Sequence, residues 1–372
     1  MNTANIAQNE VKKNCCCPAQ PGQPEQAAPC CPSGPPVRGK KTRVIPRVAS
    51  ELTGADKWGN IKVRWGIKRM NYRVEPGIYA VGNPDENAIV LVSANYKLSF
   101  DTLRKELTGL DAWILVLDTR GINVWCAAGK GTFGTDELVR RIEITGLKEI
   151  VKHRKLIAPQ LGAPGISAHR VKAQSGFNVI YGPVRASDIP AFLRAGMKAT
   201  PEMRRVRFPF RDRARVVPIE LVMGAPKFFL IMLVFFLLSG FTNAGYSLNM
   251  TVSAGLRAVL SLLFAFIAGA VAAPLLLPWL PGRSFSCKGF ATGVLFFGIS
   301  FFTVLRGVSR LETTAWFLLI STIASFMTMN FTGASTYTSL SGVKKEMRYA
   351  LPAQITAAAI GILLWLAGRF FY

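Results

Sequence analysis

Cys126, in the stretch NVWCAAGK at residues 123–130, is the residue whose surroundings most suggest chemistry. No other cysteine lies within twenty residues of it, and the nearest histidine is His153. A thiolate is a soft ligand, suited to a soft metal centre. A solitary cysteine is also common as a small buried apolar residue. At this position the residues alone therefore leave a metal ligand and a structural thiol both open.

Two phosphate-binding motifs compete for the same stretch. Gly129, Gly131 and Gly134 match G-x-G-x-x-G, and Glu149 follows at a tolerable distance. The dinucleotide fingerprint should open a helix directly after its strand, however, and here a helix-like run intervenes. A P-loop would need glycine at position 124, which is Val124. Both motifs are disfavoured.

Nucleophilic catalysis by Cys126 is a further alternative, because a catalytic thiol needs a basic partner. His153 and His169 are the two histidines of the chain, and neither has an evident acid to orient it. The seven cysteines contain no C-x-x-C pair, so neither a zinc knuckle nor a redox pair fits their spacing.

An alternation of strands and helices surrounds Cys126 and predicts a parallel sheet wrapped by helices. Ser99 and Thr135 are predicted to cap two of the helices. Ligands of such sheets lie beyond the carboxyl ends of the strands, and INVWCAA, a short helix stopped by Gly129, follows the third strand at such an end. The predicted strands are residues 77–82, 88–94, 111–119, 155–160 and 177–184, and the predicted helices are residues 99–107, 133–146, 167–176 and 186–196.

The second half of the chain is dominated by apolar runs too long for ordinary core helices. A bilayer core of about 30 Å needs about 20 helical residues. Five runs are long enough or nearly so, at residues 226–246, 256–274, 289–305, 314–331 and 350–370. The runs contain no Asp or Glu, which favours an anchor over an ion pathway. They predict an all-α transmembrane bundle of about five helices.

Basic residues orient this predicted bundle. RRVRFPFRDRARVVP precedes the first run and GVKKEMR precedes the last. Cytoplasmic loops collect Lys and Arg, so the preceding domain is predicted in the cytoplasm and the C-terminus outside. Arg306 and Arg310 fall on the opposite side, so the excess of basic residues on the cytoplasmic side is modest. With no cleaved signal peptide visible, the prediction is a multi-pass protein of the cytoplasmic (inner) membrane.

The composition divides the chain into three regions. Residues 1–50 form a Pro/Cys-rich arm that cannot bury enough apolar surface to fold alone. Residues 51–215 are predicted to be an α/β Rossmann-like domain in the cytoplasm, and residues 216–372 the transmembrane domain. The net charge of +24 includes a basic cluster at residues 204–215 beside the first apolar run. We therefore assign the basic charge to contact with anionic membrane lipid, and expect no nucleic acid partner.

Several stretches resemble corrinoid proteins. DAWILVLDTRGINVWCAAGKGTFGTDEL resembles the cap-helix region of the corrinoid iron–sulfur protein of the acetyl-CoA pathway. NVWCAAGK resembles the version with a cap-helix cysteine in the mercury-methylating corrinoid proteins. ANYKLSFDTLR and YGPVRASDIPAFL resemble segments of both families, and the apolar tail agrees with the mercury-methylating family alone. The resemblance runs from about residue 57 to residue 210 and implies a corrinoid-binding α/β domain.

The resemblance implies a role for individual residues. Cys126 would be the lower axial ligand of cobalt in a base-off cobalamin, which makes it both the catalytic and the metal-binding residue. Six residues at strand ends would also line the ring, but they could equally be ordinary loop and capping residues. These are Asn95, Tyr96, Ser99, Tyr181, Gly182 and Pro183. The residues implied to face the corrin ring with Cys126 are Asn123, Val124, Trp125, Ala127, Ala128, Gly129 and Lys130.

The implied activity is corrinoid-dependent methyl transfer to Hg(II), which forms methylmercury. A thiolate below cobalt raises electron density on the metal, so that the methyl group leaves electron-rich, as an electrophilic Hg(II) requires. The alternative is a membrane-bound methyl carrier of one-carbon metabolism, like that of the acetyl-CoA pathway. The implied partners are a ferredoxin-like iron–sulfur protein as reductant and a methyltetrahydrofolate-dependent methyl donor system.

The chain departs from both families. It lacks the four-cysteine cluster motif of the corrinoid iron–sulfur protein, and the cysteine-rich arm is not a usual feature of the mercury-methylating family. A variable tail is the favoured interpretation of that arm. The alternative is capture of Hg(II) by its paired thiols, namely Cys15, Cys16, Cys17, Cys30 and Cys31.

Overall fold

A computed structural model describes residues 44–331 and 340–370 of the 372-residue chain. Its first part is a sheet flanked by helices, and its second part is built from long helices. The arm predicted at residues 1–50 lies outside the described residues up to position 43. The same holds for its cysteines, Cys15, Cys16, Cys17, Cys30 and Cys31.

A six-stranded sheet forms the centre of the first part, in the order β1-β2-β4-β3-β5-β6. The five predicted strands are confirmed at shorter lengths, and β1 was not predicted. β4 is buried along its whole length, as expected for a strand covered on both faces. The strands are β1 (Arg47–Val48), β2 (Gly77–Val81), β3 (Ile89–Ala94), β4 (Ala112–Leu117), β5 (Lys155–Ala158) and β6 (Asn178–Tyr181).

The sheet is mixed: the predicted parallel arrangement holds for β3, β4, β5 and β6 and is wrong for the pair of β2 and β4. β2 runs antiparallel to β4, with Gly77 opposite Val116, whereas β3, β4, β5 and β6 are mutually parallel. Residues 82–88 join β2 to β3 without a helix. A parallel pair needs a crossover of a dozen or more residues, so this short connection reverses the chain direction.

Eight helices of the first part precede the long helices among the described residues. Ser99 and Thr135 lie inside their helices, whose caps are Tyr96 and Gly134, so both capping predictions were wrong. Short 3₁₀ turns lie at Arg69–Asn71, Gln160–Gly162 and Ala186–Asp188. The helices are α1 (Gly54–Arg64), α2 (Lys97–Lys105), α3 (Val124–Gly129), α4 (Thr135–Thr145), α5 (Leu147–Ile150), α6 (Ala168–Ser175), α7 (Ile189–Arg194) and α8 (Pro201–Arg204).

Alternate residues of the buried strands divide the core into two layers. Leu115 and Leu117 of β4 pack in one cluster with Phe133 near α4. Ile114 and Val116 of the same strand pack in the other cluster with helices α2 and α7. This alternation is the two-residue period of a strand, and it confirms that helices cover both faces.

Asp56 joins α1 to α2 through a network of charged hydrogen bonds. Lys97 Nζ and Arg104 Nη2 donate to its two carboxylate oxygens at 2.5 and 2.7 Å. Thr53 closes a capping box with the same side chain. Burial alone would raise the pKa of Asp56, but the hydrogen bonds from Lys97, Thr53 and Arg104 outweigh it and hold the pKa well below 3.8.

This lowered pKa predicts a pH-dependent contribution to folding. The contribution is present above the unfolded-state pKa and is lost as the pH falls towards the folded-state pKa. We expect Asp56→Asn to lower the midpoint of thermal unfolding at about pH 6, and the difference from wild type to shrink towards about pH 3. Asp136→Asn removes a highly exposed carboxylate and serves as the control. A difference that is constant with pH would contradict the assignment.

Five helices of the second part are long and apolar enough to cross a membrane. The second passes through a π-helical turn at Ala268–Ala272 into α11 (Ala273–Leu276), so that the span is Leu248–Leu276. A two-stranded hairpin, β7 (Phe241–Thr242) and β8 (Gly245–Tyr246), joins the first two. The helices are α9 (Phe210–Leu238), α10 (Leu248–Ile267), α12 (Phe285–Thr303), α13 (Arg310–Asn330) and α14 (Leu340–Phe370).

The first long helix differs most from its predicted span at residues 226–246. It begins sixteen positions earlier, at Phe210, and continues through Pro218 and Pro226. It ends at Leu238, because the following SGFTNAGY forms the hairpin, in which Gly245 has a φ of 108°. A membrane helix can contain proline, because neighbouring helices provide hydrogen-bond partners for the backbone groups that proline leaves unpaired. The domain boundary predicted between residues 215 and 216 falls inside α9.

The longer helices also contain acidic residues. Glu220 lies in α9 and Glu312 in the first turn of α13, outside the shorter predicted runs. The absence of Asp and Glu from the predicted runs favoured an anchor over an ion pathway. The observed helices do contain acidic residues, so this reasoning does not apply to them.

Contacts join the sheet domain to the start of α9. Arg185 Nη2, after β6, donates to Asp212 Oδ2 at 2.6 Å. Gly66, after α1, has a φ of 78°, and a Cβ there would lie 2.9 Å from Ile219 Cδ1. The absence of a side chain at Gly66 therefore lets α1 approach α9 closely. Both helices lie beside the carboxyl ends of the strands.

Candidate functional site

A cavity of about 440 Å³ lies at the carboxyl ends of β3, β5 and β6. Ser93 and Tyr96 line it at the end of β3, Pro159 at the end of β5 and Gly182 at the end of β6. Asn123 lines it at the start of α3. The position agrees with the rule that ligands of open α/β sheets lie beyond the carboxyl ends of strands.

α3 begins at this cavity because Asn123 caps it. Asn123 Oδ1 accepts a hydrogen bond from the backbone N–H of Cys126 at 2.9 Å, with Asn123 in an extended conformation. The predicted short helix at INVWCAA is therefore confirmed. Gly129 is its last residue rather than its stop, and the chain turns at Gly131, which has a φ of 79°.

Asn95 fixes the turn that leads from β4 into α3. Its Oδ1 accepts hydrogen bonds from the backbone N–H groups of Thr119 and Gly121 at 3.1 and 2.9 Å, and from Thr119 Oγ1 at 2.8 Å. Its Nδ2 donates to Asp118 Oδ1 at 3.1 Å. The side chain is 1% exposed. Asn95 therefore organises this loop.

Two glycines hold the other side of α3 against its neighbours. A Cβ on Gly165 would lie 2.1 Å from the carbonyl oxygen of Phe133 and 3.2 Å from Ala128 Cα. A Cβ on Gly162 would lie 2.4 Å from the Phe133 ring. Ala127, whose carbonyl accepts the N–H of Phe133 at 3.1 Å, completes this contact. Close backbone approach therefore sets the position of α3.

Cys126 is a free, half-buried thiol on α3. Val124 and Trp125 before it are half-buried, and Ala127 and Ala128 after it are buried. Along the helix, Cys126 therefore follows a bulky apolar pair and precedes a small pair. A fully buried structural thiol does not describe this residue.

The cavity brings together half of the predicted site. Cys126 adjoins the wall through its neighbour Trp125 but is not among the lining side chains. Gly129 and Lys130 are exposed at the far end of α3. Tyr181 donates to the Ile166 carbonyl at 2.5 Å, which is a structural role. The predicted residues that line the cavity are Tyr96, Ser99, Asn123, Val124, Trp125, Gly182 and Pro183, and those that do not are Asn95, Cys126, Ala127, Ala128, Gly129, Lys130 and Tyr181.

Tyr96 presents an unpaired hydroxyl at the cavity. The residue is 4% exposed, and its Oη is buried with no hydrogen-bond partner within the described part of the chain. The Arg69 guanidinium lies 5.8 Å from the centre of its ring. Burial raises the pKa of Tyr96, although the charges of Arg69 and Arg64 act in the opposite direction. The hydroxyl is therefore a neutral donor without a partner among the described residues, on a residue of the cavity wall.

Two arginines of the cavity were not predicted. Arg64 lines it from α1 and Arg215 from α9. Burial and the nearby charge of Arg215 lower the pKa of Arg64. Arg215 belongs to the basic cluster that was assigned to lipid. The signal that could have found it is the cluster's position, next to a domain whose ligand site is at the strand ends.

The competing interpretations of NVWCAAGK gain no support from the geometry. Gly129 ends α3, and Gly131 and Gly134 lie between α3 and α4, so these glycines do not connect a strand to its helix. His153 Nε2 lies 2.8 Å from the Ala88 carbonyl, and His169 contacts Ser167. Among residues 44–331 and 340–370, no group of three or more His, Cys, Asp or Glu could hold a metal ion.

Part of the chain is similar to a known family. Residues 66–193 match the family described as CO dehydrogenase/acetyl-CoA synthase delta subunit. The matched region extends from just before the first 3₁₀ turn to α7 and contains the cavity walls from β3, α3, β5 and β6. The long helices lie outside it.

Curated relatives are similar over the same part. The acetyl-CoA decarbonylase/synthase complex subunit gamma of Methanopyrus kandleri is 35% identical over 122 residues, which are 32% of this chain and 26% of the relative. The corrinoid/iron-sulfur protein large subunit of Moorella thermoacetica is 31% identical over 127 residues, 34% of this chain and 28% of the relative. The chain thus spans about a quarter of the length of these relatives. Their names support a relation to acetyl-CoA pathway proteins, and they do not mention mercury.

Proposed function

We propose that this chain is a membrane-bound corrinoid protein that carries a methyl group, with the cofactor held by its α/β domain. The observation that carries the proposal is α3, an Asn123-capped helix that carries the half-buried Cys126 next to Trp125, which lines the cavity at the strand ends. The similarity of this region to a corrinoid/iron-sulfur protein subunit supports it.

The residues present fit a corrinoid. Cys126 would offer a soft sulfur donor to the cobalt of a corrinoid. The apolar surfaces of Val124 and Trp125, which line the cavity, suit close approach of a flat ring. The orphaned Tyr96 hydroxyl suits the amide groups at the ring's edge. The lining residues that would hold the cofactor from the remaining sides are Ser99, Gly182 and Pro183.

The cofactor, when bound, supplies a cobalt centre that can exchange methyl groups. The chain's own residues bind and orient it. Asn123 fixes the first turn of α3, and Asn95 fixes the turn before it, so the thiol is held on a rigid support. Trp125 and the strand ends would cover the bound cofactor, and Arg64 and Arg215 make one side of the cavity positive.

The methyl group would be delivered to another enzyme of one-carbon metabolism. The similarities favour this acceptor, because the relatives are named as a subunit of the acetyl-CoA decarbonylase/synthase complex and as a corrinoid/iron-sulfur protein subunit. A ferredoxin-like iron–sulfur protein would supply electrons, and a methyltetrahydrofolate-dependent system would supply the methyl group. The five long helices would anchor the domain in the cytoplasmic membrane, with the domain on the cytoplasmic side.

Methyl transfer to Hg(II) is the second candidate function. Cys126 favours it, since a thiolate donor makes the methyl group more electron-rich than a nitrogen donor does, and Hg(II) is an electrophile. The cysteines of the arm would contribute to this function by capturing Hg(II). They lie outside the described residues.

Reconstitution of the full-length chain with cobalamin in detergent tests the proposal. We expect about one corrinoid per chain to survive gel filtration, with an absorption spectrum that differs from free cobalamin. A chain that retains no corrinoid would overturn both candidates. Membranes given a methyl donor and Hg(II) then separate them, because methylmercury forms under the second and not under the first.

Replacement of Tyr96 by Phe tests the assignment of the orphaned hydroxyl. We expect cobalamin to bind about tenfold more weakly, because one hydrogen bond to the ring's edge is lost. The thermal unfolding midpoint without cofactor should not fall, because an unsatisfied buried hydroxyl is removed. Tyr79→Phe, which removes a hydroxyl already bonded to the Glu75 carbonyl, should leave affinity unchanged. Equal affinity of the Tyr96 variant and wild type would contradict the assignment.

A further inference from the structure

A second polar cavity, of about 490 Å³, lies at the opposite end of the long helices. The helix termini that surround it are the end of α9 with its hairpin, the end of α12, the start of α13 and the end of α14. Its charged lining consists of Arg257, Arg306, Arg369 and Glu312. The cavity shares no lining residue with the one beside Cys126, and its interpretation does not depend on the corrinoid.

Positive charge exceeds negative charge in this lining. Glu312 Oε1 accepts a hydrogen bond from Arg369 Nη2 at 2.6 Å, and from Trp316 Nε1 at 3.4 Å. The one carboxylate in the lining is therefore already engaged. Among the described residues, Arg257 and Arg306 have no carboxylate within ion-pair distance.

Two of these guanidinium groups have buried nitrogens with nothing to bind. The Nε atoms of Arg257 and Arg369 are buried and have no hydrogen-bond partner within the described part of the chain. Arg369 is 7% exposed. Arg257 is the tenth residue of α10, well inside a helix long enough to cross a membrane. An unpaired charge at such a place is costly and marks a functional site by default.

The surroundings complete a site for an oxyanion. α13 begins at Arg310 with Ser309 as its cap, so the positive end of a 21-residue helix dipole points towards the cavity. Phe241 and Met250, both partly exposed, add apolar surface beside the charged groups. Arginine donors in a planar fork match the oxygens of a phosphate group.

We propose that this cavity binds a phosphate group, held by Arg257 and Arg369 with Arg306 at its rim. The shared chemistry is a phosphate oxyanion, and two sources can supply it: the headgroup of an anionic phospholipid or free inorganic phosphate. Binding supplies the missing negative charge and satisfies the orphaned donors.

The test uses the full-length chain purified in a zwitterionic detergent without phosphate. Phosphatidylglycerol, phosphatidylcholine and inorganic phosphate are added separately, and binding is followed by native mass spectrometry and by the midpoint of thermal unfolding. A rise in the midpoint with phosphatidylglycerol alone identifies a lipid site, and a rise with inorganic phosphate as well identifies a site for the free anion. Equal effects of phosphatidylglycerol and phosphatidylcholine, with none from phosphate, would overturn the proposal.

Arg257→Gln should weaken the binding of whichever probe is active by about tenfold to a hundredfold, because a charge-assisted hydrogen bond is lost. Arg306→Gln should weaken the binding of the probe by a smaller factor. Because Arg306 is exposed, this variant should fold normally, and it decides the test if Arg257→Gln does not insert into the membrane. Arg310→Gln removes an exposed charge at the same end, outside the lining, and should bind as wild type does. Unchanged affinity in the Arg257 and Arg306 variants would contradict the site.

Discussion

Cys126→Ala is expected to lower methyl transfer by at least about a hundredfold, because the proposed sulfur ligand of cobalt is removed; outer-shell changes at metal sites alone cost 10–100-fold. The helix should survive, since alanine is a better helix former than cysteine and the Asn123 cap uses only the backbone N–H of residue 126. Methyl transfer is measured with isotopically labelled methyl donor on membranes that contain equal amounts of each variant.

Two further variants make this result specific. Cys287→Ala removes the exposed thiol of α12 and should keep wild-type activity. Cys126→His should retain cobalamin, with a changed spectrum and lower activity, because a nitrogen donor replaces sulfur. Full activity of Cys126→Ala would remove the thiol from the mechanism.

Gly165→Ala is expected to lower the free energy of unfolding of the α/β domain by about 3 kcal/mol, at the upper end of overpacking effects. Its Cβ would lie 2.1 Å from the Phe133 carbonyl oxygen, and a backbone atom cannot turn aside as a side chain can. The shift that relieves the clash moves the Phe133 loop or α3, so cobalamin affinity should fall with stability. Thermal unfolding and cobalamin titration of the full-length protein measure the two effects.

Gly129→Ala is the matched control, because it lies on α3 and nothing approaches its added Cβ within 4 Å. Alanine favours the helix over glycine by up to about 1 kcal/mol, so this variant should be as stable as wild type or slightly more stable. If Gly165→Ala were as stable as Gly129→Ala, close packing would not be what positions α3.

The strands and the helix at Cys126 were predictable because their signals are local. β4 is an unbroken apolar run, and α3 follows from a capping asparagine and a stretch without Gly or Pro. The reversal of β2 depends instead on a connection too short for a crossover. The early start of α9 at Phe210 depends on packing of a basic segment that lacks an apolar pattern of its own.

The site was predictable from one side only. The resemblance to corrinoid proteins indicated Asn123 to Trp125 and Tyr96, and these residues follow strand ends and line the cavity. Arg64 and Arg215 come from α1 and α9, and tertiary packing through Gly66 and Ile219 brings those helices to the same place. The ion pair of Glu312 and Arg369 joins residues 57 positions apart, which no local pattern reveals.

Cobalt K-edge X-ray absorption of the full-length protein with bound cobalamin tests the central claim most directly. The account predicts one sulfur in the first coordination shell of cobalt in the wild-type protein, and loss of that sulfur in Cys126→Ala. A first shell of nitrogen and oxygen alone in the wild type, unchanged in the variant, would contradict it.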